Sequence, residues 1–179
     1  METLFLTLLD WYRATRDFIA QGGPILEVIA WVTLLMWILI IERISYFSTT
    51  HKTRVHEAIE RWESRAERKS WNAHQIREAI ISRVSMSAKA SLPLIQTLVA
   101  LCPLLGLLGT VTGMIEVFDV MAVSGTGNAR SMASGVSKAT IPTMAGMVGA
   151  LSGVFAITLL NRKADGEVEL LKDHMTTDH

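Results

Sequence analysis

Three long apolar runs dominate the hydrophobic pattern of this chain. They cover Pro24–Ile41, Leu92–Val123 and Ala139–Leu160. At 1.5 Å per residue the first run spans about 27 Å as a helix, which is close to the thickness of the hydrocarbon core of a bilayer. The second run is longer than a bilayer requires, and the third ends in a polar Asn-Arg-Lys sequence. The pattern therefore predicts three transmembrane helices.

The polar segments between and around these runs also have helical periodicity. Apolar residues recur at helical spacing near the N-terminus, which predicts an amphipathic helix lying on the membrane surface, and Gly22 and Gly23 interrupt it before the first run. Val55, Ile59 and Trp62 give the charged segment an amphipathic helical pattern. We therefore expect an all-α integral membrane protein with three transmembrane helices. Its second and third helices should be long and extend into a cytoplasmic helical region.

The distribution of charge predicts the orientation of the chain. Residues 42–91 contain ten basic and six acidic residues, although the whole chain has a formal net charge of zero. By the positive-inside rule this segment and the Asn-Arg-Lys sequence are cytoplasmic, so the N-terminus is periplasmic and the C-terminus cytoplasmic. The predicted order is a periplasmic-side amphipathic helix (1–21), transmembrane helix 1 (22–47), a cytoplasmic helical loop (48–91), transmembrane helix 2 (92–123), a periplasmic turn (124–137), transmembrane helix 3 (138–160) and a cytoplasmic tail (161–179).

Composition argues against enzyme chemistry. With 179 residues, the chain has no room for a soluble catalytic domain beside the membrane helices. The five histidines have no metal-ligand spacing, and the sequence contains no glycine-rich phosphate loop or nucleophile elbow. The single cysteine, Cys102, lies in an apolar run and is expected to be a small buried residue. We expect no enzymatic activity, no cofactor, no metal and no nucleic-acid partner.

Small residues recur at intervals of three and four along the second and third runs. This stripe contains Gly106, Gly109, Thr110 and Gly113 in the second run, and Ala139, Thr143, Gly146, Ala150 and Gly153 in the third. Small residues let membrane helices approach closely, so one interpretation is ordinary helix packing. The alternative is that both stripes turn toward a shared axis and line a cavity.

Polar residues within the runs favour the lined cavity. Thr110, Thr140, Thr143 and Glu116 are the candidate pore-lining residues of a proton pathway. A carboxylate at membrane depth costs roughly 2.5–3.5 kcal/mol at the bilayer centre and usually faces a protein interior or water. Lys138, at the start of the third run, can extend its ammonium group toward the interface.

The segments LCPLLGLLGTVTGM (101–114) and GVSKATIPTMAGMVGALSG (135–153) resemble the MotA/TolQ/ExbB proton-channel family, in particular an ExbB-type subunit of a TonB energising system. The resemblance extends to three spans in the same order and to the basic loop after the first. It implies a homopentamer whose second and third helices surround the single-span helices of ExbD-type subunits. Proton flow would then drive rotation, and a TonB-type protein would transmit force to the outer membrane. By motif, Thr110 and Thr143 take the family's threonine positions.

Lys138 departs from the family pattern, because many relatives have a glutamate five residues before the threonine of the third helix. Three explanations stay open: Glu116 substitutes for that acid, the aspartate of the ExbD-type partner suffices, or Lys138 points away from the pore. Other functions also stay open. One is a TolQ-like subunit for envelope integrity, which the neighbouring genes would distinguish from an ExbB-type subunit. Another is a passive membrane scaffold without proton conduction. A self-sufficient channel is disfavoured by the few acids within the runs.

Overall fold

The computed structural model describes residues 2–64, 71–124 and 129–175. These residues form α1 (Glu2–Ser48), α2 (Thr50–Glu63), α3 (Trp71–Lys89), α4 (Leu92–Ser124) and α5 (Ala129–His174), with no strand among them. Three helical stretches of the described chain are long and apolar enough to cross a membrane, namely Gly22–Ser48, Trp71–Val123 and Met132–His174. The prediction of an all-α protein with three transmembrane helices is confirmed.

A break at Gly23 divides α1 into an N-terminal part and the first membrane-spanning part. Gly23 has φ 68° and ψ −170°, a conformation that costs glycine little and that other residues rarely adopt. Pro24 follows directly, where its missing N–H falls in the first turn of the second part. The interruption predicted at Gly22 and Gly23 is therefore present. The prediction of a surface helix rests on apolar side chains that the structure does not describe, those of Leu4, Phe5, Leu8, Leu9 and Tyr12.

The third long helix differs from its prediction at both ends. Helix α5 begins at Ala129, so residues 129–137, which we assigned to a turn, are helical. It then continues without interruption to His174, so the tail predicted from residue 161 belongs to the same helix. Buried residues recur at helical spacing beyond Leu160, at Ala164, Val168 and Leu171, and this apolar contact sustains the helix.

The chain divides into two compact units. The first, called here the glycine-rich unit, contains the chain up to Leu35 and Leu98–Ser152. The second, called the charged unit, contains Met36–Thr97 and the chain from Gly153 onward. An apolar cluster holds the charged unit together, built from α2, α3 and the end of α5 around Trp62, which is 1% exposed. Arg77 closes the end of α5 by donating to the carbonyl oxygens of Lys172 (2.8 Å) and Met175 (2.6 Å).

A buried arginine joins α1 to the chain around the end of α3. Arg43 is only 6% exposed, and it donates to the Ser87 carbonyl oxygen at 3.1 Å and to Ser91 Oγ at 2.6 Å. Its Nε lies 3.5 Å from a carboxylate oxygen of Glu42, and its guanidinium lies 5.0 Å from the ring centre of Tyr46. A buried charge is tolerated when it is paired and hydrogen-bonded, and both Nη atoms have acceptors. The buried Nε has the Glu42 carboxylate nearby but no hydrogen-bond partner among the described residues.

Candidate functional site

The glycine stripes of α4 and α5 contact each other within the glycine-rich unit. A Cβ atom added at Gly106 would lie 3.0 Å from Thr143 Cα, and one added at Gly113 would lie 2.8 Å from Ala139 Cα. A Cβ at Gly146 would lie 2.5 Å from the Cys102 carbonyl oxygen. Residue numbers rise along α4 as they fall along α5, so the helices are antiparallel. Their backbones approach so closely that side chains larger than hydrogen do not fit at these points.

Helix α1 and a proline complete this packing. A Cβ at Gly109 would meet the ring of Pro142 and would lie 3.2 Å from Ile25 Cγ2. Thr33 Oγ1 lies 4.0 Å from the sulfur of the fully buried Cys102, at the limit of a weak hydrogen bond. Sequence reasoning missed the part played by Pro142. The sequence feature that could have indicated it is a proline in the middle of the third apolar run, a position where α5 nevertheless continues.

These contacts decide between the two interpretations of the stripes for the glycines concerned. Gly106, Gly109, Gly113 and Gly146 face neighbouring helices of the same chain, as the helix-packing interpretation predicts. Ala139 and Ala150 are 3% and 8% exposed, and Gly153 is buried as well. A lumen between copies of this chain would need a different face of α4 and α5.

Thr110 and Thr140 lie at the edge of this contact, on a side of α4 and α5 that such a lumen could use, whereas Thr143 lies within the contact. Thr143 Oγ1 donates to the Gly106 carbonyl oxygen at 2.8 Å, which links the two helices directly. Thr110 follows Gly106 by one turn on α4, and Thr140 precedes Thr143 by one turn on α5. Because the helices are antiparallel, both steps lead in the same direction, so Thr110 and Thr140 lie at the same level.

The hydroxyl groups of these two threonines are oriented by their own helices. Thr110 Oγ1 donates to the Leu107 carbonyl oxygen at 2.7 Å, and Thr140 Oγ1 donates to that of Ser137 at 2.8 Å. Thr140 is exposed and Thr110 is half-buried. Since the hydroxyl hydrogens are engaged, the remaining oxygen lone pairs are available as acceptors for water or a hydrated proton.

Glu116 is not brought together with the threonines. Glu116 and Lys138 both line a cavity of about 570 Å³ in the glycine-rich unit, whose wall includes Gly22 and Pro24 of α1. At 100° per residue, Lys138 points about 160° away from Thr140, and Glu116 about 120° away from Thr110. No ion pair joins Glu116 to Lys138 among the described residues. No pattern in the sequence indicates this cavity, because its shape depends on the path of α1.

The structure thus defines a multi-pass membrane protein whose second and third spans pack through glycines and carry Thr110 and Thr140 at the edge of that contact. Residues 47–173 match the model of the MotA/TolQ/ExbB proton channel family. The match covers most of the chain, so the protein belongs to this family of channel and transport proteins.

Two relatives from Synechocystis sp. (strain ATCC 27184 / PCC 6803 / Kazusa) are similar over shorter segments. "Putative biopolymer transport protein ExbB-like 1" is 44% identical over 70 residues, which are 37% of this chain and 28% of the relative. "Putative biopolymer transport protein ExbB-like 3" is 36% identical over 75 residues, 37% of this chain and 36% of the relative. The matched segments thus span about a third of the length of these curated relatives.

Proposed function

We propose that this protein is the ring-forming subunit of a motor in the bacterial inner membrane, driven by the proton motive force. An ExbD-type single-span subunit would be its partner, and the complex would energise TonB-dependent uptake across the outer membrane. Family membership and the ExbB-like names of the two relatives support this proposal. The pentameric ring and the TonB-type partner are carried over from the family resemblance.

Unpacked apolar surface supports assembly into a ring. Leu107 and Phe118 of α4 are each 59% exposed, and Leu151 of α5 is 61% exposed. A single chain leaves these side chains uncovered, so lipid or other subunits must cover them. Because the glycines already contact neighbouring helices inside the chain, the lumen of a ring would be lined by the edge of α4 and α5 that carries Thr110 and Thr140.

The level shared by Thr110 and Thr140 is the observation that carries the proposal. Two acceptor oxygens at one height, within a surface of leucine, valine and methionine, provide polar contact for water where it is otherwise unfavourable. An aspartate on the ExbD-type helix would bind and release the proton opposite these hydroxyls. In this arrangement Lys138 stays on the cavity side, so its positive charge does not stand in the path of the proton.

The available energy suits stepwise rotation of one part against the other. One charge moving through 100 mV yields about 2.3 kcal/mol. That is enough to bias a step between near-equivalent subunit positions, but not enough to separate a well-packed interface. The glycine contacts between α4 and α5 would therefore be kept during each step.

The test is a Thr110→Val, Thr140→Val double variant that keeps side-chain shape and removes both hydroxyls. Thr97→Val is the matched control: Thr97 Oγ1 also donates to its own helix, at 3.0 Å from the Pro93 carbonyl oxygen. It lies about 140° around α4 from Thr110. Each variant is co-expressed with the ExbD-type partner in cells lacking both subunits. Receptor-dependent uptake, proton flux into vesicles and the native mass of the complex are measured.

We expect the double variant to assemble normally but to lose uptake and proton flux, while the control retains both. Full uptake by the double variant would contradict a proton path along the threonines. If proton flux were absent from the unmodified complex as well, a passive scaffold would explain the protein better. Function with a Pal- or TolB-type partner set in place of TonB would identify a TolQ-like role.

A further inference from the structure

A second cavity, in the charged unit, is lined by three arginines. It measures about 210 Å³ and lies between α2 and α3, with Arg54 and Arg61 contributed by α2 and Arg83 by α3. Seven residues separate Arg54 from Arg61, so they lie on the same side of α2 about two turns apart. Ala58 and Val84 of the apolar cluster also line the cavity and connect it to the core of the unit.

The charge inside this cavity is not balanced. Glu57 is the one acidic residue in its lining, against three guanidinium groups, which leaves the cavity with a net positive charge. Within the described part of the chain, no ion pair engages Arg54, Arg61 or Arg83. Like charges held in one cavity repel one another, and a bound anion would relieve that repulsion.

One wall of the cavity is held in place before any ligand binds. The Arg54 guanidinium lies 5.6 Å from the ring centre of Tyr46, a cation–π distance. Tyr46 Oη donates to Ser87 Oγ at 3.3 Å, and Ser87 Oγ donates to the Val84 carbonyl oxygen at 3.0 Å. Arg54 is exposed, and this contact restrains its guanidinium, which lowers the conformational entropy lost when a ligand binds.

The position of Tyr46 indicates which anions can reach this cavity. Tyr46 follows Ile41, the last residue of the first apolar run, by five residues, or about 8 Å along α1. A residue 8 Å beyond the end of the apolar run lies in the headgroup layer, where tyrosine is enriched and where phospholipid phosphates are located. A guanidinium group binds phosphate through two parallel hydrogen bonds. Because only one carboxylate lines this cavity, most of the guanidinium donors are not occupied by an acid of the chain.

We propose that the cavity lined by Arg54, Arg61 and Arg83 binds a phosphate group. The phosphate would come from an anionic phospholipid headgroup or from a soluble phosphate compound, and the chemistry of recognition is the same for both. This site is independent of the proposed motor function, because it uses none of the threonines of α4 and α5.

The test measures phosphate binding to the full chain with its partner. In one arm the complex is reconstituted into phosphatidylcholine nanodiscs with increasing phosphatidylglycerol or cardiolipin, and retained lipid is counted by native mass spectrometry. In the other arm inorganic phosphate or glycerol phosphate is titrated in neutral detergent. Arg54→Gln, Arg61→Gln and Arg83→Gln are compared with Arg162→Gln. Arg162 is an exposed arginine near the end of the third span that does not line the cavity.

Each cavity variant should weaken binding by about ten-fold or more, as expected when a hydrogen-bonded charge is lost, while Arg162→Gln changes it by less than about two-fold. Arg83→Lys keeps the charge without the planar guanidinium and should fall between these values. Selective loss in the nanodisc arm assigns a lipid headgroup, and selective loss in the detergent arm assigns a soluble phosphate. Equal weakening by Arg162→Gln, or no binding in either arm, would overturn the proposal.

Discussion

Replacing Gly146 with alanine should separate α4 from α5. The added Cβ would lie 2.5 Å from the Cys102 carbonyl oxygen and 3.2 Å from Gly106 Cα, both of which are backbone atoms that cannot rotate away. Carbon–oxygen contacts between packed helices are ordinarily about 3.3–3.6 Å, so the helices must withdraw by about 1 Å. That withdrawal would lengthen the 2.8 Å bond from Thr143 Oγ1 to the Gly106 carbonyl oxygen beyond hydrogen-bonding range.

Three effects set the size of the change in the free energy of unfolding. Overpacking costs about 1–3 kcal/mol. Loss of the Thr143 hydrogen bond costs about 1 kcal/mol. The higher helix propensity of alanine stabilises the folded state by about 1 kcal/mol. The net decrease in the free energy of unfolding is therefore about 1–3 kcal/mol.

Reversible unfolding in mixed micelles of increasing dodecyl sulfate content measures this loss. Gly166→Ala is the matched control, because a Cβ at Gly166 on the same helix has no atom within 4 Å. The control should gain up to about 1 kcal/mol from propensity alone. If Gly146→Ala were stabilised by the same amount as the control, the close approach of the two backbones would be refuted.

Three further predictions use other contacts of the chain. Thr143→Val should lower the free energy of unfolding by about 1 kcal/mol while Thr143→Ser stays near the original value, since only serine can still donate to the Gly106 carbonyl oxygen; an equal loss in both variants would contradict this. Trp62→Ala should cost about 3–5 kcal/mol in an equilibrium unfolding measurement. Replacing Trp71, which is 74% exposed, with alanine should change the free energy of unfolding by only about 0.5 kcal/mol. Equal losses for the Trp62 and Trp71 variants would refute the burial of Trp62 in the apolar cluster. Cys102, 0% exposed, should resist a maleimide reagent until the protein is unfolded; rapid labelling of the folded protein would argue against its burial.

The sequence predicted the spans well because membrane-spanning helices need long apolar runs. Helix α4 was expected at Leu92–Val123 and is found at Leu92–Ser124. The length of α5 was underestimated, because the polar residues after Leu160 were interpreted as the end of a span. In the structure Val168 and Leu171 of this segment pack against the apolar cluster, which the three-and-four spacing of the sequence could have indicated.

The candidate site was harder to predict than the helices. A glycine stripe on α4 looks the same in sequence whether it faces a helix of its own chain or another subunit, so the partner of Gly106 or Gly113 could not be inferred. The level shared by Thr110 and Thr140 depends on the register between antiparallel helices. That register is set by contacts such as Gly109 with Pro142, which no local pattern encodes.

The buried contacts of Arg43 limit axial movement of the first membrane-spanning helix. A displacement of α1 by a single residue is about 1.5 Å along its axis. Such a shift would pull the guanidinium away from the Ser87 carbonyl oxygen and from Ser91 Oγ, so the two buried Nη atoms would lose the acceptors they have now. The end of α1 is therefore held against displacement along its own axis relative to the end of α3.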